Sequence, residues 1–119
     1  MENDCLFCKI VNKEISSDEI LENDSFLAIS DIRPKAPVHI LVLPKKHIVS
    51  ARHLGETDAK LAGELILFAN NVAQKLGIAK GYKLVFNVGR DGGQVIDHLH
   101  LHVLGGWTSD HDRNFGSKP

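Results

Sequence analysis

Asp97-His98-Leu99-His100-Leu101-His102-Val103-Leu104-Gly105-Gly106 is the stretch around which this 119-residue chain is organised. Three histidines alternate with Leu99, Leu101 and Val103, the bulky or branched aliphatics of a half-buried strand. Side chains of a strand point to opposite faces with period two. The alternation therefore predicts His98, His100 and His102 on one face and the aliphatics in the core. Successive histidines then stand ~6.6 Å apart along the backbone, at about 3.3 Å of rise per residue. A helix would scatter the same side chains around its axis. A neutral imidazole serves as metal ligand, nucleophile or proton shuttle. Surface decoration is the plain alternative, but it does not account for three of the seven histidines of the chain in strict alternation.

The bulk composition narrows the classes. The length fits one domain over residues 1–119, and a chain of this size buries roughly two-thirds of its unfolded surface. The formal net charge is −1, with 14 basic and 15 acidic residues mixed along the chain. No nucleic-acid backbone or anionic membrane is expected as main partner. No apolar run approaches the ~20 residues of a membrane span. Met1-Glu2-Asn3-Asp4 has no signal-peptide core, so a cytoplasmic location is expected. The two cysteines, Cys5 and Cys8, form a Cys-x-x-Cys, half of a metal site or a redox pair. A pair of free thiols, with Cys8 packed in a short helix, is the alternative.

Further along, Phe7, Ile10 and Val11 have the spacing of a short helix packed on the body. Glu19–Glu22 and Phe26–Ser30 read as strands of an antiparallel hairpin turned at Asn23-Asp24. Pro34 and Pro37 break the segment from Asp31 to Pro37. Val38–Leu43 reads as an apolar strand stopped by Pro44. Thr57 is the expected N-cap of one long helix, with Asp58 suited to its dipole. Leu61, Leu65, Phe68, Ala69, Val72, Ala73 and Leu76 form the apolar stripe of that helix, and Gly77 its stop. Tyr82–Val88 reads as a strand antiparallel to the histidine strand, joined to it by Gly89-Arg90-Asp91-Gly92-Gly93-Gln94. The segment 107–119 shows no regular pattern. The fold class is α+β, with a mainly antiparallel sheet, one long helix and one short one.

His-φ-His-φ-His-φ-φ, with φ apolar, is matched at every position of His98–Leu104 and resembles the signature of the histidine triad superfamily. Asp31-Ile32-Arg33-Pro34-Lys35-Ala36-Pro37-Val38-His39, Leu43-Pro44-Lys45-Lys46-His47, Asn87, Asp91-Gly92-Gly93-Gln94 and Gly105-Gly106 are similar to the branch that hydrolyses purine nucleoside phosphoramidates. The resemblance covers about residues 5–106. It implies the histidine-triad fold in a homodimer whose two sheets join into one. It also implies cleavage of AMP or GMP derivatives, among them phosphoramidates and aminoacyl adenylates, through a covalent nucleotidyl-histidine, with no cofactor needed for the chemistry.

The same resemblance implies roles for individual residues. His100, the middle histidine, is the nucleophile. His102 donates to a phosphate oxygen or protonates the leaving group. His39 bonds into the triad, and His98 completes the catalytic row. Asp31 accepts from the ribose hydroxyls. Phe7, Ile10, Ile15, Ile29 and Ile32 wall the base, unless they are simply core. Asn87 and the amides of Gly92, Gly93 and Gln94 cradle phosphate oxygens; read alone, Asp-Gly-Gly is merely a turn. Some bacterial-type relatives bind a structural zinc through residues matching Cys5, Cys8, His47 and His98, a Cys₂His₂ set. His98 would then be a staple rather than a catalytic group. The chain departs from the branch at Val95, where relatives commonly carry a serine aimed at the leaving group, so that preference is not carried over.

Two other readings stay open at this level. One is a metalloenzyme, although three histidines of one strand span too far to close on one ion with ~2 Å bonds; a set that includes His39 would not. The other is a non-catalytic purine-nucleotide-binding or scaffold protein of the same fold.

Overall fold

The computed structural model describes residues 4–108. Helix α1 (Leu6–Val11) is followed by strands β1 (Glu19–Glu22), β2 (Phe26–Ser30) and β3 (Val38–Pro44), helix α2 (Ala59–Lys75), and strands β4 (Tyr82–Val85) and β5 (Leu101–Gly105). The five strands form one antiparallel sheet in the order β1-β2-β3-β5-β4. The α+β class and the hairpin of β1 and β2 are as expected. The Asn23 side chain holds that turn by accepting from the Ser25 and Phe26 amides at 2.9 and 2.8 Å.

Period two sorts the side chains of the sheet between two helices. Phe26 and Ala28 of β2, Ile40 and Val42 of β3, and Leu101 and Val103 of β5 pack under α2 with Leu65, Phe68, Ala69, Val72 and Ala73. Leu27, Ile29, Leu41 and Leu43 point to the opposite face, where Phe7 and Ile10 of α1 cover them. Burial on both faces explains why β2 and β3 read as near-continuous apolar runs in an antiparallel sheet. It also places His39 and His102 on the α1 face by parity alone.

Strand β3 runs one residue past the expected stop and includes Pro44, which pairs with Phe26, and three further boundaries differ from expectation. The histidine strand starts at Leu101 rather than His98, and β4 ends at Val85 rather than Val88. Beyond the last β4–β5 pair, Val85 with His102, the Leu99 amide donates to the Ile48 carbonyl at 2.6 Å, in the loop after β3. Leu99 nevertheless stays buried beneath α2 with Leu101 and Val103, so the alternation outlives the ladder. At α2, Thr57 is not the cap. A 3₁₀ turn, Glu56–Asp58, leads into the helix, and Asp58 Oδ2 accepts from the Gly55 amide at 2.9 Å. Gly77 (φ +76°) ends α2 as expected.

At the far end of β5 a Cβ on Gly105 would lie 2.7 Å from Ile78 Cδ1, so glycine permits the approach of that loop. Among the described residues no helix is long and apolar enough to cross a membrane. The segment 109–119, most of the irregular tail, lies outside the described residues.

Candidate active site and metal centre

Cross-strand register brings the first two histidines together. His39 of β3 pairs with Leu104 and Leu41 pairs with His102. His39 and His102 are therefore diagonal neighbours on one face, a distance that long side chains bridge. His39 Nε2 lies 2.9 Å from His102 Nδ1. His100 joins them one residue before the strand, its ring centroid 5.1 Å from that of His102. Phe7 of α1 sets its ring edge-on against His100 at 5.1 Å.

Hydrogen bonds assign the protons of this cluster. The His98 carbonyl can only accept, so His100 Nδ1, 2.7 Å away, carries the hydrogen. The lone pair of neutral His100 is thereby fixed on Nε2. The Lys35 amide donates to His39 Nδ1 at 3.0 Å, so the proton of His39 sits on Nε2. That N–H points at His102 Nδ1, which leaves the His102 proton on Nε2. The result is a row with a free lone pair on His100 beside an N–H on His102. Asp31 closes the row: one carboxylate oxygen accepts from the Arg33 amide at 2.8 Å, and the other lies 3.3 Å from His39 Nε2.

Burial holds all three rings neutral. Desolvation pushes the pKa of His39 and His100 below the ordinary histidine value. His102 is depressed to about 4, first by burial and then by the neighbouring His100 and His39 rings. Asp31 opposes the shift in each case.

A prediction for stability follows from the sign of these shifts. Above pH ~6.5 both folded and unfolded histidines are neutral and contribute nothing. As pH falls from there toward 4, the unfolded chain binds protons that folded His102 refuses, so stability drops with acidification. Urea midpoints measured from pH 7.5 to 4.5 are expected to decline, and to decline less steeply in His102→Asn. Parallel curves for the two proteins would contradict the assignment.

His98 turns away from the His39–His100–His102 cluster. Its ring is fully buried and turns toward the N-terminus. His98 Nε2 donates to the Pro44 carbonyl at 2.8 Å, which leaves the lone pair on Nδ1. That atom lies 3.3 Å from Cys5 Sγ, 3.6 Å from Cys8 Sγ and 3.2 Å from His47 Nδ1. His47 Nδ1 is also 3.2 Å from Cys8 Sγ. No disulfide joins the two cysteines.

Zinc bonds of about 2.3 Å to sulfur and 2.05 Å to nitrogen at the tetrahedral angle separate donors by about 3.3–3.8 Å. Four of the donor separations, 3.2–3.6 Å, are close to that scale, all four donors lie within 4.8 Å of one another, and the Pro44 carbonyl supplies the outer bond that orients a ligating histidine. Cys5 Sγ also caps α1, accepting from the Cys8 amide at 3.3 Å. The donor set and geometry fit a tetrahedral metal ion. Asp31, His39 and His102 are close enough for a second such site. There, however, the Lys35 N–H already takes the lone pair of neutral His39 and leaves a hydrogen on Nε2, where a metal would need a lone pair.

The remaining expected site residues are placed differently from one another. Phe7, Ile10 and Ile29 are buried in the α1-side core, where Phe7 packs against the His98 and His100 rings. Ile32 is 92% exposed and Ile15 is also exposed. The expected amide cradle is not what this loop presents. The Gly92, Gly93 and Gln94 amides donate to carbonyls of Gly89, Arg90 and Gly89 at 3.1, 3.0 and 2.9 Å, closing a 3₁₀ turn.

The Gln94 side chain is likewise internal. It donates to the Val49 and Ile96 carbonyls and accepts from the Gly89 amide. Asn87 Nδ2 donates to the Gly92 carbonyl, and Gly93 (φ +87°) keeps the turn open beside that amide. These residues build the loop that leads into the histidine segment. Val95 follows it at 81% exposure. The groups that sequence reasoning missed are mostly backbone: the Lys35 amide and the Pro44 carbonyl carry no residue-type signal. Arg90, which braces the loop through the Gln94 carbonyl and Asp97, had one only in its charge.

Comparison with known proteins gives consistent matches. The HIT domain family model matches residues 12–109. An uncharacterised HIT-like protein of Synechococcus elongatus is 42% identical over 106 residues, covering 89% of this chain and 93% of its own. A HIT family hydrolase from Legionella pneumophila superposes with a TM-score of 0.86 at 44% identity, covering 88% of this chain and 95% of the other. A hypothetical histidine triad nucleotide-binding protein from Sulfolobus tokodaii superposes at 0.74 with 38% identity, covering 89% and 71%.

Proposed function

This chain belongs to the HIT domain family, and from that premise we propose that it is a nucleotide-binding hydrolase working through His100. Its substrates are purine nucleoside monophosphates linked to an amine, acyl or phosphate leaving group. The observation that carries the reading is the His98 carbonyl on His100 Nδ1, which leaves a neutral nitrogen nucleophile beside a hydrogen-bond donor.

In the first step His100 Nε2 attacks phosphorus and forms an N–P bond. The bond to the leaving group breaks, and its electron pair departs on the leaving atom. His102 takes up a proton with the anionic substrate, whose charge offsets the burial penalty, and passes its Nε2 proton to that atom. In the second step water attacks phosphorus, the N–P bond returns its pair to His100, and the proton lost by water recharges His102. Asp31 accepts from the ribose hydroxyls; its partly exposed carboxylate has lone pairs beyond those used by Arg33 and His39. Phe7, Ile10, Ile29 and Ile32 bound the base, and Asn87, Gly93 and Gln94 shape the loop over the phosphate.

Cys5, Cys8, His47 and His98 would hold a structural zinc, whose chemistry is to bind the thiolates and imidazoles and so cross-link α1 to the histidine segment. The reading includes a single domain over residues 1–119, a cytoplasmic location and a homodimer joined edge to edge. In support of the dimer, β4 is a sheet edge with Leu84 exposed, and α2 exposes Ile66 and Leu67.

A panel of adenosine phosphoramidates, aminoacyl adenylates and dinucleoside polyphosphates tests the substrate class. His102→Ala is expected to lower kcat by about 10²–10⁴-fold on the phosphoramidate, and by less on a leaving group that departs without a proton. Equal losses on both would remove His102 from the role of acid. The competing reading, a binding protein without catalysis, predicts nucleotide affinity with no turnover on any member of the panel.

A further inference from the structure

Four ring nitrogens of His39 and His102 hold two protons in the neutral pair, on His39 Nε2 and His102 Nε2. A third proton has two places to go. His39 Nδ1 is closed to it, because the Lys35 N–H already points there at 3.0 Å. The remaining place is His102 Nδ1, which faces the His39 Nε2–H at 2.9 Å. Two N–H groups then meet head to head unless the first finds another acceptor. The acceptor within reach is Asp31 Oδ2, 3.3 Å from His39 Nε2. Asp31 is held for this by the Arg33 amide on its other oxygen, and the His39 side chain between them is 1% exposed. Little water is therefore available to do the same job.

We infer that Asp31 is a positioning residue for proton donation: its Oδ2 takes the His39 Nε2–H as His102 charges, so that His102 can hold the proton an amine leaving group requires. The inference rests on the hydrolase reading above and deepens it, adding to the sugar contact a part in the proton step. No bond to Asp31 is made or broken, since the hydrogen stays on His39 and only its acceptor changes. The charged and titratable groups facing the pair are Asp31, which favours its protonation, and Lys35 and His100, which oppose it.

A sugar contact and a proton-positioning role predict different kinetics. Asp31→Asn keeps the size of the side chain and an oxygen for the Arg33 amide, but loses the anion. If Asp31 only held ribose, the variant would lose the same factor on every substrate carrying the same nucleoside. If it supports His102, kcat/KM falls about 10–100-fold further for an adenosine phosphoramidate with an alkylamine leaving group than for an aminoacyl adenylate.

His39→Asn is expected to show the same leaving-group signature, and Asp31→Asn to add little on that background. Equal losses across leaving groups would overturn the inference while leaving His100 as nucleophile. A second readout needs no turnover. In the free wild-type protein, ring ¹⁵N and ¹H shifts of His39 and His102 should report proton uptake at a higher pH than in Asp31→Asn. Coincident titrations would reject the role even if no substrate were ever found.

Discussion

His100→Ala is expected to lower kcat by about 10⁴-fold or more on any substrate of the panel, with AMP or GMP still bound. The expectation comes from the proton assignment around the ring. The Nδ1–H is held by the His98 carbonyl, burial keeps the ring neutral, and neither His39 nor His102 can substitute. His39 points its only N–H at His102, and the free nitrogen of His102 points back at His39. Alanine at position 100 therefore removes the one lone pair directed away from the network. Rapid quenching of the wild-type reaction followed by mass spectrometry of peptides should place a nucleotide adduct on His100. A variant that keeps its rate would falsify the mechanism.

The pH dependence of the wild type carries the same signature. Because burial lowers the His100 pKa, the nucleophile stays neutral below the ordinary histidine range, and the acid limb of kcat/KM should lie below pH ~6.5.

The second large effect concerns the Cys₂His₂ cluster. Freshly purified protein is expected to contain about one zinc per chain, and the Cys5→Ser, Cys8→Ser double variant to contain none. Structural zinc sites contribute directly to folding free energy, so the variant should be less stable by about 3 kcal/mol or more. Chelator treatment of the wild type should reproduce the loss, and zinc should restore it.

The effect reaches the His100–His102 row through two contacts. Phe7, between the two cysteines, packs on both His98 and His100, and the His98 carbonyl holds the His100 proton. Metal-free protein should therefore show an altered His100 ring environment by NMR as well as a lower melting temperature. Absence of metal together with unchanged stability of the double variant would exclude the site.

The chain by itself determined the parts that depend on local periodicity. Alternation at His98–Leu104 dictated which side chains enter the core, and Leu99, Leu101 and Val103 lie there although the ladder begins only at Leu101. The stripe from Leu61 to Leu76, the Asn23-Asp24 turn and the stop at Gly77 were legible for the same reason, since each depends on neighbours within a turn or two.

Tertiary structure alone decided how three alternating histidines divide between two clusters. Parity put them on one face, but the Leu99 amide bonds the Ile48 carbonyl outside the ladder, and the Pro44 carbonyl and Cys5-Cys8 claim the His98 ring. The tautomers were likewise invisible, because they are set by a carbonyl at His98 and an amide at Lys35 that any residue could provide. The Gly92-Gly93-Gln94 loop, which resembled an anion cradle, instead closes on itself, since its amides found carbonyls three to five residues away. Side-chain identity is written in the sequence. Hydrogen-bond direction, whether set by a backbone group two to four residues away or across contacts 51 to 93 residues apart, exists only after the chain has folded back.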